Sequence, residues 1–161
     1  MNPLDIVRQW IATANEELGT AFELSESGAC GIEFDNGAAL FLQVLPEQDS
    51  VVLYSPVAML DVQPSALYLL GVLALNLFNR STGPGVIGYD AERHSLVYSE
   101  RVAIGNSNAL DFASRLDQFP TLWSHLLEAL SELKAQAMAV ADAGEEGDPF
   151  PPSMDPRFLK P

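Results

Sequence analysis

Residues 65–80 read SALYLLGVLALNLFNR, and no charged side chain occurs anywhere from Val62 to Asn79. As a helix, Ala66 to Phe78 would rise roughly 20 Å. A bilayer core is about 30 Å thick and asks for about 20 apolar residues, so the stretch is too short to span one. A helix that is apolar all round is buried all round. Within one small domain it would pack one face on a sheet. The opposite face then needs a second partner, and a copy of the same chain can supply it.

The rest of the composition sets that segment in an acidic globular protein. The 161 residues fit one domain with a tail, and the hydrophobic content of 48% is enough for a real core. There are 22 acidic and 8 basic residues, for a net charge of −14. This balance repels nucleic acid and anionic membranes, because phosphate binding needs clustered Lys and Arg. It favours basic or amphipathic partners. The single cysteine, Cys30, cannot form an internal disulfide. The opening MNPLDIVRQW has neither the basic region nor the apolar core of a signal peptide, so a cytoplasmic location is expected.

Local signals predict the element order. Asn2-Pro3-Leu4-Asp5 starts a helix, with Asn2 as N-cap and Pro3 at the first helical position. Val7, Trp10, Ile11, Ala14 and Leu18 follow at helical spacing, and Gly19 ends it. ACGIEF and AALFLQVL flank the turn DNG as a hairpin, and VVLYSPVAML is a third strand in which Pro56 marks a bend or an edge. Pro64 opens the apolar helix, expected to run to about Asn79. VIGYD and SLVYSERV pair across AERH. Asn108 and Asp111 begin a last helix with a capping box, and Pro120 predicts a kink or break in it. The expected fold is α+β, an antiparallel twisted sheet of about five strands with three helices in the order α-β-β-β-α-β-β-α. Residues 1–141 form this domain. Residues 142–161, acidic and rich in Pro and Gly, are expected to be a disordered tail.

No catalytic, metal or cofactor constellation emerges. GPGVIG at 83–88 matches a nucleotide-binding pattern, but that mechanism needs a strand before it and a helix after it, and here the order is reversed. His94 and His125 have no second ligand at metal spacing. Cys30 reads as a small buried hydrophobe. Glu33 and Glu100 are either solvent-facing strand residues or an acid–base pair. Trp10 and Trp123 are by default core anchors on amphipathic helices.

The stretch from LALNLFN through STGPGVIGYDAERHSLVYSERV to LDFASRLDQFPTLWSHLLEAL resembles the class I type III secretion chaperones of the CesT/Tir-chaperone family. In that family an apolar second helix ends in a Leu-Asn pair, here Leu75-Asn76. A Gly-containing loop follows, here Gly83 to Gly88, then a strand ending in Asp90, a second strand from Leu96 to Val102, and a last helix with Leu116, Phe119 and Trp123. GACGIEFDNGAALFLQV is similar to the family's first hairpin. The resemblance covers about residues 3–135.

It implies a non-enzymatic homodimer in the bacterial cytoplasm, needing no cofactor. Such a chaperone binds the N-terminal chaperone-binding segment of a secreted effector and keeps it soluble and export-competent. The dimer interface would use Leu67, Leu70, Leu73, Ala74 and Leu77. Effector contacts would fall on Ile6 and Trp10 of the first helix and on Phe41, Gln43 and Leu45 of the second strand. An exposed sheet edge can also accept an added strand. No nucleic acid and no membrane insertion are expected. The alternative is a small-ligand-binding or sensory α+β domain, which would need a closed apolar pocket with a few polar groups.

Overall fold

Short polar side chains set most of the element boundaries. A computed structural model describes residues 2–79 and 81–142. Helix α1 (Pro3–Leu18) begins where Asn2 Oδ1 accepts the Leu4 N–H at 3.1 Å, and ends at Gly19 with φ 67°. Strands β1 (Ala29–Glu33) and β2 (Ala39–Leu45) turn through Gly37 at φ 84°, where Asn36 Oδ1 accepts the Ala38 N–H at 3.1 Å. Strand β3 (Ser50–Met59) precedes helix α2 (Ala66–Leu75). Strands β4 (Val86–Asp90) and β5 (Ser95–Ala103) turn where Asp90 Oδ1 accepts the N–H groups of Glu92 and Arg93. Helix α3 (Ala109–Asp142) starts with the capping pair, Asp111 N–H to Asn108 Oδ1 at 2.9 Å and Asn108 Nδ2 to Asp111 Oδ2 at 2.7 Å.

The five strands form one antiparallel sheet in the order β1-β2-β3-β5-β4. This is the expected α+β fold with the expected order of elements. Pro56 lies in the interior strand β3 at a register shift between Pro56 and Ala58, so it marks a bulge rather than an edge. One face of the sheet, carrying Leu40, Leu42, Val44, Val51 and Leu53, forms a single core with Val7, Ile11 and Ala14 of α1 and Phe112, Leu116 and Phe119 of α3. Cys30 joins this core, and burial pushes its thiol pKa up, as befits a packing residue.

Three expectations change. Pro120 does not break α3, which runs unbroken for 34 residues, about 51 Å. Buried Leu116 and Phe119 before it and Leu126 and Leu130 after it hold both halves in place. Asn36 Nδ2 and Ser124 Oγ both donate to the Pro120 carbonyl. Helix α2 stops at Leu75 rather than near Asn79, because Phe78 and Asn79 take left-handed φ of 58° and 53°. Finally, α2 packs chiefly on α3, and touches the sheet only to a lesser extent, at β4. A Cβ at Gly71 would sit 2.6 Å from Leu133 Cδ2, so glycine is what lets the two helices approach. The tail expected at 142–161 lies, from residue 143 onward, outside the described residues.

Candidate functional site

Helix α2 has two unlike sides despite its uniform chemistry. Tyr68, Gly71 and Val72 are buried toward the protein's own fold. Leu70, Leu73 and Leu77 are 37%, 64% and 51% exposed, and with Ala66 they recur at spacings of four, three and four. Ala66, Leu70 and Leu73 make one stripe along α2, and Leu77 continues it in the turn just beyond the helix end. Of the expected interface residues, Leu70, Leu73 and Leu77 therefore face outward, while Leu67 and Ala74 are half-buried beside them. Met59 and Val62, both exposed, extend the apolar area past the helix N-terminus. A solvated helix face would carry charge; this one carries none.

The second surface is the sheet face opposite the helices. Register places Gly31, Phe41, Tyr54, Ser99 and Val86 in one row across all five strands. Phe41 and Tyr54 stack with ring centroids 5.4 Å apart, and both rings, with Val86, remain exposed. Leu45 lies half-buried on the same face. Gln43 also lies there, but its Nε2 donates to the carbonyls of Ser27 and Val44, tying the sheet to the preceding turn. Tyr54, Val86 and Gly31 were not among the sequence candidates. Alternation in VVLYSPVAML already sets Tyr54 opposite Val51 and Leu53, but only strand register brings it beside Phe41.

The two expected contacts on α1 lie elsewhere. Trp10 is buried, its ring 5.4 Å from that of Phe112, so it is a core anchor and not a contact residue. Ile6 is half-buried and packs against the core on the helical side of the sheet. It is thus separated from Phe41 by the thickness of the sheet.

The two edges of the sheet differ. On β1, Ala29 turns its N–H and C=O away from β2 toward Ser25. Alternation along the strand then turns the backbone groups of Gly31 and Glu33 outward as well. On β4 the outward groups of Ile87 are taken by the side chain of Asn76.

Glu100 and Glu33 do not form a pair. Glu33 is exposed on β1, whereas Glu100 is buried on the inner face of β5, with β2 and β3 lying between the two strands. Glu100 is ion-paired with Arg115 of α3 and accepts the Tyr98 hydroxyl at 3.3 Å. Burial raises the Glu100 pKa, with the nearby Arg115 guanidinium opposing the rise. Burial, reinforced by the Glu100 carboxylate, pushes the Tyr98 phenol well above its ordinary range. These residues line a cavity of about 50 Å3, room for little more than water. A larger hollow of about 460 Å3, lined by Phe34, Asn36, Pro120 and His125 among others, is open to solvent and does not enclose a ligand. His94 Nδ1 is held by the Tyr89 hydroxyl at 2.9 Å. No helix of the described residues is long and apolar enough to cross a membrane.

Solved structures share this architecture. The fold is similar to that in the ExsC–ExsE complex, with a TM-score of 0.59 and 17% identity over 84% of this chain and 96% of that one. It is also similar to the Yersinia pestis type III secretion chaperone SycH in complex with a stable fragment of YscM2, with a TM-score of 0.57 and 20% identity over 74% of this chain and 98% of that one. E. coli YbjN, described as a proposed transcription regulator, has a TM-score of 0.53 and 21% identity over 80% of this chain and 92% of its own. At such identities these likenesses establish the fold alone. No curated protein matches the chain in sequence. The model of the Tir chaperone protein (CesT) family, however, matches residues 9–127, well over half of the chain. The chain belongs to the Tir chaperone protein (CesT) family.

Proposed function

We propose that this protein is a type III secretion chaperone of the bacterial cytoplasm. It binds the N-terminal chaperone-binding segment of a secreted effector, keeps that segment soluble, and catalyses no reaction. The observation that carries the reading is the bare apolar sheet face around Phe41 and Tyr54, lying next to the open edge of β1. A strand added at Gly31 and Glu33 would point alternate side chains to the two faces of the sheet. One set would reach the outer face beside Phe41, and the other the flank of α1 near Ile6. A single extended segment thereby serves both candidate surfaces, with backbone bonds supplying affinity and the apolar sites supplying selectivity. The SycH complex, a chaperone bound to a protein fragment, supports this reading by analogy.

The working unit is a homodimer built on the exposed stripe of α2. A symmetric interface is self-complementary, so Leu70, Leu73 and Leu77 of one copy meet the same stripe of the other. Leu73→Asp would place an unpaired charge in that contact. It should convert the protein to monomer in sedimentation, and an unmutated protein that is itself a well-folded monomer removes the dimer from the account.

The client reading is tested by co-expressing the protein with secreted effectors of its own bacterium and mapping hydrogen exchange on the purified complex. Bound client should protect the amides of Gly31 and Glu33. Binding that leaves the β1 edge and Phe41 face unprotected would sink the reading.

A further inference from the structure

The residue that caps the C-terminus of the apolar helix makes an unusual contact. Asn76 Nδ2 donates to the Ile87 carbonyl at 2.9 Å, and Asn76 Oδ1 accepts the Ile87 N–H at 2.7 Å. A carboxamide has the same donor and acceptor as a peptide group, so this pair reproduces the two bonds that a neighbouring strand would make. Ile87 is the middle residue of the edge strand β4, paired to Tyr98 on its other side. Two residues earlier, the Gly85 N–H is used in a turn by the Thr82 carbonyl. Beyond Ile87, only Tyr89 of this strand turns its backbone outward. The chain also spends conformational strain to bring Asn76 and Ile87 abreast, since Phe78 and Asn79 are both left-handed without being glycine.

We propose that Asn76 is an edge guard: its side chain stands in for a sixth strand on β4 and keeps a second copy of this chain from pairing there. The need is physical. An uncovered edge strand is a template for another chain, and β4 carries exposed Val86 and Tyr89 with only Asp90 as a charge. Two copies meeting edge to edge would continue their sheets into each other, a different contact from one made by the α2 stripe. The guard directs self-association to the helix and leaves β1 as the edge with consecutive open positions. This goes beyond the proposed function and holds whatever the client.

The test compares Asn76→Ala with the unmutated protein by sedimentation velocity over a wide concentration range, and by hydrogen exchange at Ile87. The Ile87 amide should exchange about fivefold to tenfold faster, as the loss of one hydrogen bond implies. Species of at least twice the unmutated mass should appear as concentration rises. Adding Val86→Lys, a charge on the edge strand, should restore the unmutated mass while the Ile87 amide stays fast. That combination separates edge exposure from simple loss of stability. The proposal is overturned if Asn76→Ala opens Ile87 but keeps the unmutated mass, if it sediments lighter, or if Val86→Lys leaves the heavy species in place. Should Asn76→Ala fail to fold, Asn76→Asp, which keeps the acceptor and loses the donor, is read by the same masses and the same exchange.

Discussion

The inner and outer faces of the sheet can be compared row by row. Across the inner face run Cys30, Leu42, Leu53 and Glu100; beside them on the outer face run Gly31, Phe41, Tyr54, Ser99 and Val86. The covered row contains a carboxylate, and the open row contains no charge at all. A one-sided antiparallel sheet ordinarily shows the reverse, polar where it meets water. The inner carboxylate is tolerable because Arg115 descends from α3 to meet it. Among the described residues nothing covers the open aromatic pair, which is the character of a surface waiting for another molecule.

Substitutions can break or sharpen this contrast. The largest effect is expected inside. Leu40 is fully buried, and Leu40→Ala should cost about 3 kcal/mol of stability, read as a lower denaturant midpoint. A loss below about 1 kcal/mol would mean that the inner face is less tightly packed than its burial indicates. On the outer face, Phe41→Asp should change stability by only about 1 kcal/mol, the worth of its ring contact with Tyr54. It should nevertheless speed client dissociation in a surface-binding measurement, with the protein's own mass unchanged. Equal stability losses at Leu40 and Phe41 would erase the distinction between the faces.

The smallest effect concerns pH. Because the folded Glu100 carboxyl has a raised pKa, the native state holds its proton to higher pH than the unfolded chain does. Its contribution to stability is therefore most favourable below the unfolded pKa and declines as pH rises through the folded one. Asp90, its carboxyl held low by the Arg93 backbone and side chain, works in the opposite direction at more acidic pH. Glu100→Gln removes the first trend. The melting temperature of the unmutated protein should rise relative to this variant on going from neutral toward pH 5, by about 2 °C. A difference that is flat with pH would show that Arg115 fully compensates the burial.

Much of this was legible in the chain because it rests on local chemistry. Asn2, Gly19, the Asp35-Asn36-Gly37 turn and the Asn108–Asp111 box each act within a few residues of themselves, and each boundary they imply is present. What was not legible depends on partners distant in sequence. Periodicity shows that α2 has no polar side, but not that Leu133 covers Gly71. Strand composition shows that Glu100 alternates with its neighbours, but not that Arg115 waits on the inner side. Trp10 reads by default as a core anchor, and the contact role that the family resemblance added to it gives way once Phe112 is found against it. The Leu75-Asn76 pair stands out as a pattern, yet its reason is Ile87, eleven residues on, reached through two left-handed residues that no propensity predicts.

The packing of α2 on α3 has a consequence for how the protein is made. Gly71 and the Leu133 that covers it are 62 residues apart in the chain. At roughly 5–20 residues per second of synthesis, the apolar helix emerges about 3 to 12 seconds before its cover exists. Strand β3 waits similarly for β5, whose pairing with it spans the whole of α2. During that interval the nascent chain exposes both sides of its oiliest segment to the cytosol. Slow codons between the two helices would lengthen that exposure and lower the soluble yield with no change in the amino-acid sequence. A protein whose task is to shelter another chain's unfolded segment thus needs sheltering itself while it is being born.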